Sequence, residues 1–266
     1  MSDPSDLVSF LAASRNRVDI LEAVSAKPLT RADIQRTTDS TRATLGRSLA
    51  DLNDRDLVRQ DGTYYEATPQ GAFLVRDFQS LVESVHTVEH LGPLLEWFPV
   101  DDVSFELGRL RDAKITRPSK QDALQPVTRS LNLLHEAAHI SMVAGQYAPP
   151  ALEATWDATV VQEHQALELV LTDAVIQTIV ATGDPDRSWF RELVSSERSD
   201  VYTTSWTLGY NVGVIDDVVF FALSDDHGAP QALIETEDPA VQEWFATFFR
   251  NYVQDATEIT VDDLSE

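Results

Sequence analysis

The residues from Leu29 to Gly71 leave little freedom in how they fold. Thr30 precedes Arg31, Ala32 and Asp33, so its hydroxyl can cap the free amides of a short helix while Asp33 favours that helix's positive end. Ala32 and Ile34 supply that helix's apolar contacts. The polar run Thr37-Thr38-Asp39-Ser40 breaks it, and Asp39 or Ser40 is placed to cap a second helix carrying Leu45, Leu49 and Leu52 at i, i+4, i+7. Two strand-like runs, Leu57 to Gln60 and Thr63 to Glu66, flank Asp61-Gly62, a strong hairpin signal. Pro69 then opens a further helix.

Helix, turn, helix, hairpin and helix, in that order, make a winged helix-turn-helix, a module that docks on double-stranded DNA. At about 100° per residue, Ala43, Thr44 and Arg47 fall opposite the three leucines, where the second helix would present donors to base edges. Arg42, in the first turn, is placed for phosphate, and Arg31, Gln35 and Thr41 complete the expected surface. Arg59 and Thr63 sit beside the hairpin tip and are placed for the backbone or the minor groove.

Charge argues in the opposite direction until it is divided. Lys+Arg 20 against Asp+Glu 44 gives a net −24, the wrong sign for a polyanion's partner. Before Val85 there are 13 acidic and 10 basic residues, net −3; from Val85 onward there are 31 and 10, net −21. The repulsive charge therefore lies mainly outside the expected DNA-reading module. Only Lys27, Lys114 and Lys120 are lysines, and the acids are spread along the whole chain, a composition that resembles proteins of salt-loving archaea with a high-salt cytoplasm. High salt removes most of the counterion-release contribution to phosphate binding, so dimer geometry and base-edge contacts have to supply more of the affinity.

With no cysteine, disulfides and thiolate metal sites are excluded. No run approaches about 18 apolar residues and the polar start Met1 to Asp6 lacks the regions of a signal peptide, so a cytoplasmic protein without membrane contact is expected. The expected organisation is a DNA-binding domain at 1–85, a connecting helix and linker at 86–121, an α/β domain at 122–258 and an acidic tail at 259–266. Phe73, Leu74, Phe78, Leu81, Val85 and Val88 describe a long amphipathic helix from Pro69 to about Leu95, of the kind that pairs with its twin or packs in its own subunit's core. Beyond Pro126 helices and strands alternate. Strands are expected near 140–144 and 167–171, then four more near 201–205, 211–215, 218–223 and 232–235. Helices are expected at 122–135, from Pro150 to His164, at 173–181, through Trp189 to Val194, and after Pro239. That alternation followed by a meander predicts a mixed α/β class, with a mixed sheet covered by helices.

His135-Glu136-Ala-Ala-His139 matches the H-E-x-x-H zinc pattern literally. A zinc hydrolase needs both histidines on adjacent turns of one helix, whereas Ile140, Val143 and Gly145 indicate that His139 already opens a strand. Glu163 and Glu168 are the available third ligands, and no downstream motif places either. His86 and His90, also at i, i+4, read as solvated positions. No nucleophile triad, phosphate loop or dinucleotide fingerprint can be assembled, so no enzyme, no cofactor and no metal is expected. A zinc-dependent hydrolase and a protein-interaction adaptor without DNA binding are the alternatives.

Leu167 to Val175, Gly209-Tyr-Asn-Val-Gly-Val-Ile-Asp-Asp217 to Phe221, and Glu235 to Trp244 resemble the C-terminal domain of archaeal two-domain regulators related to the methanogenesis and filamentation regulators. Ala13-Ser-Arg-Asn-Arg17 to Leu21 and Thr68-Pro-Gln-Gly71 look like the ArsR-type winged helix of the same proteins. The resemblance implies a transcription regulator, a homodimer, with a C-terminal domain that senses a small-molecule effector or mediates assembly. That domain is similar in layout to the sugar-sensing half of TrmB-type regulators, phospholipase D-like without the catalytic histidine-lysine motif. Ligands of open α/β sheets settle beyond the carboxyl ends of strands, which here points to Gly145, Gln146, Thr172 and Asp173, with Trp206 and Tyr210 as walls. An anionic effector would need Arg187, Arg191 or backbone amides.

Overall fold

The computed structural model describes residues 4–264, and the chain divides between His86 and Thr87 into two compact units. Met1 to Asp3 of the polar start and the last two residues of the expected acidic tail lie outside the described residues.

In the first unit, α1 (Pro4–Ala12) and α2 (Arg15–Ala26) lead through β1 (Leu29–Thr30) to α3 (Arg31–Thr38) and α4 (Arg42–Asn53). The hairpin β2 (Val58–Asp61) and β3 (Tyr64–Ala67) follows, then α5 (Pro69–Leu91), which runs across the division. Leu45, Leu49 and Leu52 are buried against Leu11, Ile20, Leu21 and Ile34, as their spacing requires. Each such side chain removed from water contributes about 1.5–3 kcal/mol. Ala32, expected among the apolar contacts, is exposed. The strands lie in the order β1-β3-β2, all antiparallel. Asp61 pairs with Tyr64, so the loop residues are Gly62 and Thr63, one position later than expected. Gly62 has φ 59 and Thr63 is not among the positive-φ residues, the pattern of a turn whose first loop position demands glycine.

The second unit is a mixed sheet with helices on both faces. Its elements are β4 (Lys114–Thr116), α6 (Gln125–Glu136), β5 (His139–Ala144), α7 (Pro149–Trp156), β6 (Ala166–Thr172), α8 (Asp173–Thr182), α9 (Asp186–Ser195), β7 (Ser199–Thr204), β8 (Asn211–Ile215), β9 (Val218–Ser224), β10 (Pro230–Thr236), α10 (Pro239–Asp255) and β11 (Thr257–Glu258). The strand order is β11-β7-β6-β5-β8-β9-β10-β4. β5, β6 and β7 are parallel neighbours, and β8, β9 and β10 continue antiparallel from β5. β7 thus belongs to the parallel half and not to the meander in which its sequence position would put it.

Alternation along the strands separates two cores. Ile140, Leu169 and Phe220 face one helical layer with Leu134, Ile179 and Phe190. Val143, Val170 and Phe221 face the other, with Leu91, Phe98, Trp244 and Phe245. The mixed α/β class is as expected, but residues 87–121 are not a linker. Leu91, Leu94, Phe98, Leu110 and Ala113 are buried in the core of this unit, and β4 pairs with β10. Arg117 donates to the carbonyls of His90 and Leu91, and the His90 ring lies 2.7 Å from the Ala113 carbonyl instead of in solvent. The expected tail is docked too: Ile259 and Leu264 are buried against the first of these cores. The helix expected to run to His164 ends at Trp156 and continues as a wider turn over Asp157–Val161.

Candidate nucleic-acid interface and interior cavity

The α3–α4 turn is held by caps. The Thr30 hydroxyl accepts from the Asp33 amide, and the Asp33 carboxylate accepts from the Thr30 amide and hydroxyl. The Thr30 hydroxyl, then its amide, then Arg36 hold the Asp33 carboxyl below the usual aspartate range. The residue that caps α4 is Thr41, whose hydroxyl accepts from the Thr44 amide at 3.2 Å, and not Asp39 or Ser40. Asp39 is occupied as the left-handed residue closing α3, at φ 49. Ser40 is buried, donating to Asn16 Oδ1 at 2.8 Å. Thr41 and Thr44 therefore serve each other, their hydroxyls 2.9 Å apart, which ties Thr44 to the cap and leaves it half-buried.

Ala43 and Arg47 are exposed on α4 opposite the leucines, and Arg42 is exposed in its first turn. Ala50 and Gly46 extend the same outward face, and Gly46 is a residue that sequence reasoning passed over. A Cβ on Gly46 would stand 2.9 Å from a guanidinium nitrogen of Arg31, so Arg31, the first residue of α3, reaches across to the α4 surface. A glycine inside a helix weakens it, and its use is to let something approach the backbone closely. That signal was present in the sequence.

Pairing sorts the basic residues of this unit. Arg15, Arg17, Arg36, Arg59 and Arg76 each lie within ion-pair distance of an acid. Arg55 stacks over Phe10 with its guanidinium carbon 3.8 Å from the ring centre. Among the described residues Arg31, Arg42 and Arg47 have no acidic partner, and neither does Lys27 after α2. Two guanidinium groups without an acidic partner, those of Arg31 and Arg47, thus belong to a face built from small residues, and a third, Arg42, stands at the start of the same helix. The hairpin tip is different. Arg59 donates to Glu66 across the strands at 2.7 Å, while Thr63 and Tyr64 are exposed. Gln35 is half-buried on α3.

In the second unit, Gly145 donates its amide to the Tyr210 carbonyl, but the side chains expected to line an effector site do not share one cavity. Thr172 is buried and caps α8, and Asp173 accepts from the Thr203 hydroxyl. Tyr210 is buried in the opposite core, where burial, with the Asp102 carboxylate beside it, raises its hydroxyl's pKa; Trp206 packs on Tyr252. Gly145 has a packing role, since a Cβ there would meet the Leu208 carbonyl at 2.0 Å. Of these residues Trp206 lines a pocket with Asp102, Phe248 and Tyr252, while Gln146 lines a separate cavity of about 500 Å³ between the sheet and the layer of α6, α7, α8 and α9. Leu134, Leu152, Ile179 and Phe190 roof it, and Met142, Leu169 and Phe220 form its floor. Gln146, Asn211 and Ser224 mark its end at the carboxyl end of β5. Arg187 and Arg191, the expected anion ligands, each donate to the Leu264 carbonyl at 3.3 Å.

The H-E-x-x-H residues separate as expected. His135 ends α6, Ala137 is extended, and His139 opens β5. His135 lies 3.9 Å from Asp157, and His139 3.9 Å from Asp216. Among the described residues no three His, Asp or Glu side chains are placed to hold a metal ion. Among the described residues no helix is long and apolar enough to cross a membrane.

A winged helix-turn-helix ahead of an α/β unit on a mixed sheet defines the class, a two-domain archaeal-type regulator. Residues 123–255 match the family model of the methanogenesis regulatory protein FilR1, middle domain, and the chain belongs to that family. Residues 5–90 match the HVO_A0261 N-terminal domain. No curated protein matches the chain. Among solved structures it is similar to TrmBL2, an archaeal chromatin protein, at 17% identity and TM-score 0.43, covering 97% of this chain and 100% of that one. A second is the phospholipase D family member Nuc from Salmonella typhimurium, at 14% identity and TM-score 0.42, covering 56% of this chain and 99% of that one.

Proposed function

We propose that the chain is a sequence-specific DNA-binding transcription regulator of the cytoplasm of a halophilic archaeon. The reading is carried by α4, where Arg47 on the outward face, Arg42 in the first turn and Arg31 reaching over Gly46 have no acidic partner in a module whose other arginines mostly do. Small residues at 43, 46 and 50 let that face approach base edges, and the uncommitted guanidinium groups suit phosphate and guanine. Arg59 plays a smaller part, because binding DNA would require it to leave Glu66.

The regulator acts as a homodimer. Leu81, Val85 and Val88 are 52%, 50% and 54% exposed at i, i+4, i+7 on α5, an apolar stripe that a second copy of the same helix would cover. Two heads so joined would read half-sites about one helical turn apart. A small molecule bound in the α/β domain would change head spacing and hence operator affinity.

Genome-wide mapping of bound sites, followed by footprinting of the purified protein on the recovered sequences, tests this. Discrete protected half-sites are expected. A chain that occupies no defined sites would leave the adaptor reading in its place.

A further inference from the structure

The cavity beneath α6 to α9 carries information about what it takes. Protein interiors hold few spaces larger than a water molecule, and a mainly apolar one suits apolar guests. Its volume of about 500 Å³ is that of a small-molecule site. No Asp, Glu, Lys, Arg or His lines it. Its polar groups are also largely committed. The hydroxyls of Ser130, Thr155 and Thr178 donate to carbonyls of their own helices, and Tyr147 donates to Asp186. The Asn211 amide is bonded at both ends to the backbone of Gln146.

A sugar placed here would leave most of its hydroxyls without partners, and an anion would be desolvated with no compensating charge. What remains uncommitted is the Gln146 side-chain oxygen, just after β5, and the Ser224 hydroxyl, at the carboxyl end of β9. We propose that this cavity binds an uncharged, mainly apolar small molecule carrying a single polar group, with that group held at the Gln146 and Ser224 end. Only the regulatory consequence of this binding rests on the regulator reading above; the binding itself does not.

The full chain is titrated with 1-decanol, with decanoate at pH 8 and with glucose, by calorimetry and by tryptophan fluorescence. Trp156 and Trp189 stack 5.2 Å apart on α7 and α9, next to the lining residues Thr155 and Phe190, so they report filling. Saturable one-to-one binding of 1-decanol is expected, with decanoate at least tenfold weaker and no binding of glucose. Ala151→Phe on α7 places a ring against the cavity and, if folded by circular dichroism, should weaken 1-decanol at least tenfold. No binding to the unaltered chain overturns the inference, as does equal binding of decanoate or glucose. Undiminished binding in a folded variant overturns the location. DNA binding is measured separately: its absence would remove the regulator reading while a filled cavity would leave this inference in place.

Discussion

Arg47 is exposed on the outward face of α4, and the one contact its guanidinium makes is a 3.4 Å hydrogen bond to the Ala43 carbonyl of its own helix. Arg47→Ala should cost about 1–3 kcal/mol of specific binding and flatten the preference at one base position, measured by competition among operator variants. Unchanged discrimination would remove Arg47 from base reading. Gly46→Ala separates stability from function at the neighbouring position. Replacing a mid-helix glycine should stabilise α4 by about 0.5–1 kcal/mol, since the Arg31 tip can move aside, while DNA affinity falls. Hydrogen exchange over 42–53 and a binding titration check the two halves. The Thr30 cap was legible because its chemistry is local, and Thr30→Ala should cost about 1 kcal/mol. The depressed Asp33 pKa sets the sign with pH. Its stabilising effect is present at neutral pH and is lost as acid takes the pH below the ordinary aspartate range and through the lower folded value, which faster amide exchange over 31–38 would report. The α4 cap was misread because Asp39, Ser40 and Thr41 are equally good cappers by type; the left-handed turn at Asp39 and the contact of Ser40 with Asn16 select among them.

At the scale of elements, α5 is where sequence pattern and structure diverge most usefully. Periodicity gave the helix, and also made its whole apolar content look like one face. In the structure Leu74, Val75 and Phe78 serve the first core, while Phe73, Leu81, Val85 and Val88 remain exposed. Leu81→Glu combined with Val85→Glu should therefore leave circular dichroism and thermal midpoint nearly unchanged and convert a dimer to a monomer in sedimentation. A dimer that persists would place the interface elsewhere. The parallel strands were readable from continuous apolar runs such as Leu167 to Leu171. β4 was not, because three residues carry no periodicity and its place is set by pairing with β10 and by Lys114 and Arg129 meeting the buried Glu235. The cavity was also illegible: its lining comes from four helices and five strands, and no local spacing encodes it.

For the whole molecule, the −3 and −21 division decides how salt should act. With three uncommitted arginines in each head, affinity should fall with a log–log slope of about −3 for one head and about −5 for two, shallow for a DNA-binding dimer. A titration in potassium chloride reads the slope directly, and a value near −10 would mean that many more cations contact phosphate. All five tryptophans lie between Trp97 and Trp244, so their fluorescence reports the α/β unit alone. Arg129→Met removes the bidentate partner of Glu235, which is only 6% exposed, and should lower that unit's stability by about 1–3 kcal/mol in urea. The eight-stranded sheet ends on β4 and β11, strands of three and two residues. Edges so brief offer a short row of open amides and carbonyls to a second chain, which disfavours strand-against-strand pairing at this sheet. An acidic protein with a large sheet is thereby disfavoured from polymerising through that sheet, and self-association is left to helical surfaces.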